Sequence, residues 1–283
     1  MLITSTTKKA SIATKKYTIL KINKQNTQKI TDTIALEAPL EIQLVYFEQG
    51  KQLKRSLSTT MRTPGTDKEL ALGFLYAEGI IGASADLQKI EQSGNTLQIY
   101  LSKDLSIEWE HLDRTFLSTS SCGICGKPSL ESLEKTTCYF PIPAQPVVKK
   151  EVIHQLSSIL LERQSVFKET GGIHAAGLFQ VNGTLIDFKE DIGRHNALDK
   201  LIGQAFLKAT IPLRQNVLFL SGRISFELVQ KASMAGIPII AAVGAPSSLA
   251  IDLAITNGIT LIGFVREERF NVYCGEERVS LSR

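Results

Sequence analysis

The chain has 283 residues, 43% hydrophobic and 21% charged, the balance of a globular protein with a sizeable core. No apolar run approaches the roughly 18 residues that cross a bilayer, and no apolar segment follows the first lysines as in a secretory signal. Four cysteines are too few for a disulfide framework, so a cytoplasmic location is expected, with thiols that are free, metal-bound or catalytic. Residues 1–31 hold seven lysines and no acid, so the net charge of +4 leaves −3 for the remainder. No aromatic platform or arginine cluster accompanies those lysines, which reads as a solvated tail entering an edge strand and not as a nucleic-acid arm.

In chain order, YTILKI (17–22) alternates like a strand, and residues 34–47 form a second strand signal interrupted by Pro39. Residues 63–81 predict a helix. Thr66 is its N-cap with Glu69 as capping-box partner, Leu70, Phe74 and Ala77 form its apolar stripe, and Gly79 is its stop. Short strands follow near 97–101 and 114–118, then the stretch STSSCGICGK (118–127). The segment PIPAQP (141–146) reads as a linker. The expected organisation is a basic tail and edge strand (1–31), a smaller mixed α+β domain ending in the cysteine loop (32–145), and a third unit (146–283). That unit alternates helix 152–165, strands 173–181 and 184–188 about the Asn182-Gly183 turn, helix 191–210, strand 217–220, a helix to 235, strand 237–243, a helix to 257 and a final strand 260–265. Such alternation predicts an α/β sheet with layered helices, α/β within this half and α+β overall.

Three groups of residues carry candidate chemistry. Strand-to-helix junctions at Ser221, Gly222 and Arg223, and at Ala245, Pro246, Ser247 and Ser248, offer free backbone N–H groups and positive helix ends. Ligands of open α/β sheets lie outside the carboxyl ends of the strands. With Arg266 and Arg269 beyond the next strand, these junctions predict an anionic, nucleotide-like ligand, although no GxxxxGK[ST] or GxGxxG is present. The serines also suit plain helix capping. EDIGRHNALDK (190–200) crowds charged, amide and imidazole groups at a helix start. Asp191 is a candidate cap, and His195 and Asp199 are expected one turn apart on one face. TGGIHAAG (170–177) brings His174 into an apolar strand after two glycines.

The cysteines narrow by elimination. Cys138 and Cys274 make no second CxxC, which argues against structural zinc. The pair also lacks the strand-helix setting of a thioredoxin-like site. A zinc deaminase needs H-x-E followed by P-C-x-x-C. Here the cysteines come first, Ser121 stands where proline is needed, and His174 lacks its glutamate. No metal is therefore expected. A thiol near Lys127 and free glycine N–H groups suits persulfide exchange; a loop shaped by cysteines without chemistry is the other reading.

Seven stretches in order, MRTPGTDKELALGFL (61–75), TSSCGICGK (119–127), TGGIHAA (170–176), EDIGRHNALDKLIG (190–203), SGRISFELVQKA (221–232), APSSLA (245–250) and GFVR (263–266), resemble the formate dehydrogenase accessory sulfurtransferase family, FdhD. The resemblance runs from about residue 36 onward; Gly244 stands where the family more often has serine. It implies a C-terminal three-layer domain similar to cytidine deaminase without the zinc chemistry. It also implies a sulfurtransferase that moves sulfur from a cysteine desulfurase to molybdenum bis(molybdopterin guanine dinucleotide) before insertion into formate dehydrogenase. Cys122 would carry the persulfide, Cys125 would assist, and Phe264, Val265, Arg266, Glu267, Glu268 and Arg269 would border the cofactor. Ser221, Gly222, Arg223, the 245–248 turn, His174, Arg194 and His195 would complete that site, which a guanine nucleotide would mimic. A homodimer is implied, with neither nucleic acid nor membrane as partner. The alternative is a cofactor-binding chaperone without sulfur chemistry.

Overall fold

The computed structural model describes residues 13–107, 109 and 139–281. The predicted strand at 114–118, Cys122, Cys125 and residues 1–12 of the basic tail lie outside the described residues.

Three adjacent strands carry the C-terminal half: β10 (Asn216–Leu220), β11 (Ile239–Ala242) and β12 (Thr260–Gly263), all parallel. Their apolar runs are continuous because both faces are buried. β8 (His174–Gln180) and β9 (Leu185–Asp191) extend the sheet antiparallel on one side and β13 (Asn271–Cys274) on the other, in the order β13-β12-β11-β10-β8-β9. Alternate residues serve opposite faces. Val217, Phe219, Ile239, Ala241 and Ile262 meet Ile153, Leu156 and Leu160 of helix α2 (Lys150–Arg163). Leu218, Leu220, Ile240, Ala242 and Leu261 meet α4 (Arg194–Leu207), α5 (Phe226–Met234) and α6 (Ser248–Thr256). The result is the three-layer α/β arrangement expected.

The N-terminal half is a second sheet, β4-β3-β6-β5, of β3 (Ala38–Glu48), β4 (Lys51–Arg62), β5 (Leu87–Ser93) and β6 (Thr96–Leu101). Helix α1 (Asp67–Ala77) is apolar nearly all round. It therefore has to be buried on several sides: Leu40, Ile42, Leu97 and Ile99 share a core with it, and so do Leu198, Leu201 and Ile202 of α4. That single hydrophobic cluster runs from one half into the other.

α1 and α4 meet without side chains between them. A Cβ on Gly73 would overlap the Asp199 carbonyl, and one on Gly203 the Glu69 carbonyl. Mid-helix glycine costs about 1 kcal/mol against alanine, so this pair is explained by the close approach it permits. Beside the crossing, buried charges join the halves. Lys200 Nζ lies 2.6 Å from Asp191 Oδ2 and donates to Thr63 O at 2.7 Å. Asp191 also accepts from the backbone N–H of Thr63 and Gly193 and from Asn196 Nδ2. Asn196 Nδ2 donates in addition to Met61 O at 2.7 Å. Fully buried Arg62 makes a fork to Asp67, with Nε to Oδ1 at 2.8 Å and Nη2 to Oδ2 at 2.9 Å. These bonds fasten the end of β4 to the start of α4.

Several expectations change. Residues from Thr14 form a hairpin, β1 (Thr14–Ile22) with β2 (Thr27–Ala35), in place of a tail that ends at 31. β3 runs through Pro39, which sits second in the strand opposite Met61, where a missing N–H is tolerated. Thr66 is the N-cap residue but makes no side-chain cap bond; its ψ of 51° is not the extended backbone a cap needs. The predicted helix at 152–165 is two elements, α2 and the short α3 (Ser165–Thr170). The α4 helix starts at Arg194, not Asp191, which ends β9 and is fully buried. Strand β12 is not the last: β13 and β14 (Val279–Ser280) follow, and β14 pairs parallel with β7 (Val148–Lys149). The 141–146 segment is held by Arg278, whose Nε donates to Gln145 O and Nη2 to Ile142 O.

Gly73→Ala and Gly203→Ala should each destabilise the protein by at least about 1–3 kcal/mol, the usual cost of overpacking, seen as a lowered urea midpoint. Lys200→Met, which strands the Asp191 carboxylate, should cost about 3–5 kcal/mol in the same measurement. An unchanged midpoint in either case would contradict the seam described here.

Candidate ligand-binding mouth

The parallel strands β10, β11 and β12 end side by side, and their following loops are laced by backbone bonds. Gly244 N donates to Gly222 O, Ile224 N to Ala245 O, Ser247 N to Ile224 O and Phe264 N to Gly244 O. A Cβ at Gly244 would press on Arg223 N and Gly222 O at 2.8 Å. This lacing needs glycine there, whatever the family prefers. Because β8 runs antiparallel to β10, its first residue, His174, reaches the same end. Ser221 N donates to Ala175 O, and a Cβ on Gly222 would come within 3.3 Å of the His174 ring.

The predicted residues are thus gathered, but their roles divide. Ser221 Oγ accepts from Ala175 N at 2.8 Å, so it pins β8. Ser247 caps α6, its Oγ accepting from Ala250 N at 3.3 Å, whereas Ser248 is exposed. Val265 is fully buried and belongs to the core, which removes it as a contact residue. Arg266 turns its Nη1 onto the carbonyls of Val243 (2.9 Å) and Val265 (2.7 Å), and shapes the loop. Arg223, Glu267, Glu268 and Arg269 are exposed at the rim. Phe264 is exposed and holds φ at 54°, an uncommon backbone for a bulky residue and one that marks functional sites.

The 190–200 cluster splits in two directions. Glu190 accepts from the N–H groups of Val166 and Phe167 at the start of α3. Asp191, Asn196 and Lys200 belong to the seam. Asp199 does not share a site with His195: it is buried against Lys231, 2.8 Å away, and burial raises its carboxyl to about 6 despite that partner. Arg194 and His195 face the mouth. His195 Nε2 is 3.1 Å from Ser225 Oγ and 3.8 Å from Glu227 Oε2. Burial, then the Arg194 charge, pushes His195 down to about 4. The same two causes, in the same order, lower His174.

Three residues at the mouth were not legible beforehand. Ser225 and Glu227 lie within a quoted stretch but were not distinguishable there from capping residues. His154 of α2 carried no signal at all; its Nδ1 donates to Arg266 O at 3.1 Å and its ring packs 4.9 Å from Phe270. It thereby pins the loop after β12. Among the described residues no three His, Cys, Asp or Glu side chains stand close enough to hold a metal ion, and no helix is long and apolar enough to cross a membrane.

The fold and the site together define a three-layer α/β protein with arginines and histidines gathered at the carboxyl ends of its parallel strands. The chain belongs to the FdhD/NarQ family, whose model matches residues 36–280. It is 45% identical over 280 residues to "Sulfur carrier protein FdhD" of Streptomyces coelicolor, covering 95% of this chain and 96% of that one. It is 48% identical to the protein of that name from Nocardia farcinica, over 88% of both chains. The same-named protein of Sulfurisphaera tokodaii is 41% identical, over 94% of this chain and 98% of the other. A crystal structure described as a formate dehydrogenase accessory protein of Desulfotalea psychrophila superposes with a TM-score of 0.72 at 25% identity, covering 95% of this chain and all of that one.

His195 is held low when folded and titrates near 6.5 when unfolded. As pH falls below about 6.5 the unfolded chain takes up a proton that the folded chain refuses until about 4, so stability is lost across that window. Asp199, raised when folded, gives the opposite slope between about 4 and 6. The difference between wild type and His195→Gln isolates the first effect: the variant should lose less stability than wild type between pH 7 and 5, read as thermal midpoints.

Proposed function

We propose that the protein is a sulfurtransferase that carries sulfur as a persulfide on Cys122 and delivers it to molybdenum bis(molybdopterin guanine dinucleotide) bound at the mouth, for use by formate dehydrogenase. Membership of a family whose relatives are named sulfur carriers over nearly their full lengths is the observation that carries this reading. The mouth supports it chemically. A guanine dinucleotide brings phosphates, for which Arg194, Arg223 and Arg269 and the start of α4 are suitable donors. It also brings flat bases, for which the exposed Phe264 ring is a stacking surface.

The sulfur step is a thiol exchange. The Cys122 thiolate attacks the sulfane sulfur of the donor's persulfide, the S–S bond of the donor breaks, and the donor cysteine leaves as its thiolate. A cysteine desulfurase is the donor this chemistry calls for. Cys125, three residues on, suits a resolving or loop-shaping role. The thiol chemistry suits a reducing, cytoplasmic setting, and a homodimer is proposed on the resemblance to the family alone. His154 and Arg266, which shape the loop bearing Phe264, position it and do not transfer sulfur.

Incubation of the full chain with a cysteine desulfurase and cysteine should add one sulfur atom to the Cys122 peptide, read by mass spectrometry. Cys122→Ala should abolish both that gain and activation of formate dehydrogenase. Full activation by the Cys122→Ala, Cys125→Ala double variant would favour the chaperone alternative instead.

A further inference from the structure

α4 opens directly into the mouth, and its N-cap residue, Gly193, offers no side chain to cap it. Ser225, the residue before α5, stands 3.1 Å from His195, the second residue of α4. The first-turn N–H groups of α4 therefore open into this region, whereas at the start of α5 Leu228 N donates to Ser225 O and Glu227 N to its own carboxylate. Within it lies a buried guanidinium nitrogen, Arg194 Nε, with no hydrogen-bond partner among the described residues. Arginine cannot shed its charge, and a buried donor without an acceptor is costly.

None of the surrounding groups supplies the missing acceptor. Asp191 of β9 is consumed by Lys200, Asn196 and two backbone N–H groups. Glu227 of α5 feels both Arg194 and His195, but it accepts from the Ser225 hydroxyl and from its own backbone N–H. Lys231 of α5 adds positive charge from below and is paired with Asp199. His174 of β8 and His195 both feel the Arg194 charge, and His195 feels His174, so the three share one neighbourhood. With the lysines paired to aspartates and both imidazoles held neutral, Arg194 Nε stays the donor without an acceptor among the described residues.

We propose that Arg194, His174 and His195 form a subsite for a tetrahedral oxyanion, a phosphate of the doubly charged pyrophosphate bridge of the mouth's ligand, and that the imidazoles take up a proton when the anion binds. Arg194 supplies the fixed charge, the start of α4 supplies N–H groups, and the Ser225 hydroxyl holds the His195 ring in place. This rests on reading the mouth as the cofactor site, and deepens it by assigning one ligand group to three side chains.

Sulfate and pyrophosphate are the probes. Sulfate stays a dianion across neutral and mildly acidic pH, so any pH dependence of its binding belongs to the protein. Calorimetry on the full chain should show sulfate binding more tightly at pH 6 than at pH 8. Arg194→Gln should weaken both anions by about tenfold or more, as expected for a lost charge-assisted bond, and Arg194→Lys should restore part of the loss. His195→Gln should flatten the pH dependence, so that its affinities at pH 6 and pH 8 differ less than those of wild type. Far-UV circular dichroism without anion checks each fold; if Arg194→Gln does not fold, the histidine variant decides alone. Absence of binding to wild type, or an unchanged affinity in Arg194→Gln, overturns the subsite, as does an unchanged pH dependence in His195→Gln. Sulfur loading of Cys122 is read separately. Its loss with anion binding intact would sink the sulfur-carrier reading alone.

Discussion

Gly73 and Gly203 let two helix backbones touch, and the placement of the mouth follows from that contact. Helix α1 belongs to the N-terminal sheet; α4 lies on the C-terminal sheet and begins at the mouth. With the glycines in contact there is no room for either helix to slide or roll independently. The buried Lys200–Asp191 pair and the Asn196 bonds then set the rotation of α4 against the end of β4. Arg194 and His195 stand where they do because the residues just after them are locked into this seam. Buried ion pairs are weak sources of net stability; here their geometric effect, fixing the start of one helix, is the more consequential one.

The mouth is a rigid shelf. Its loops spend much of their backbone hydrogen-bonding capacity on one another, and Arg266 spends its side chain on two carbonyls. What is left to meet a ligand is a smaller set than the junctions suggested: Arg194, Arg223 and Arg269, the two histidines, the start of α4 and the Phe264 ring. A shelf preorganised in this way would lose little order on binding a large, multiply charged ligand such as the cofactor proposed above.

Much of the C-terminal half was legible because both-faced burial leaves continuous apolar runs, as in Asn216–Leu220 and Ile239–Ala242, and because Asn182-Gly183 marks its hairpin. β4 and β5 were missed for the converse reason. They lie at the edges of their sheet, are largely exposed, and carry few apolar residues to betray a period of two. Capping was overread at Thr66 and Asp191. A side chain chemically able to cap does so only if its backbone is extended and no stronger partner claims it. Asp191 is claimed by Lys200, nine residues on in the chain and 2.6 Å away in the fold.

The sequence by itself determined the alternation of strands and helices, the gathering of ligand-binding residues at the strand ends, and the family, because these depend on local patterning and on the order of long motifs. Only the tertiary structure decided which of those residues face outward. Val265 turned into the core, Ser221 and Ser247 bonded to backbone, Asp199 paired with Lys231, and Arg194 Nε was left without a partner among the described residues. A residue's type states what it can bond; what it does bond is settled by which donors and acceptors the fold brings within about 3 Å of it. For the 190–200 stretch that choice sent neighbours in one helix to opposite purposes, the seam and the mouth.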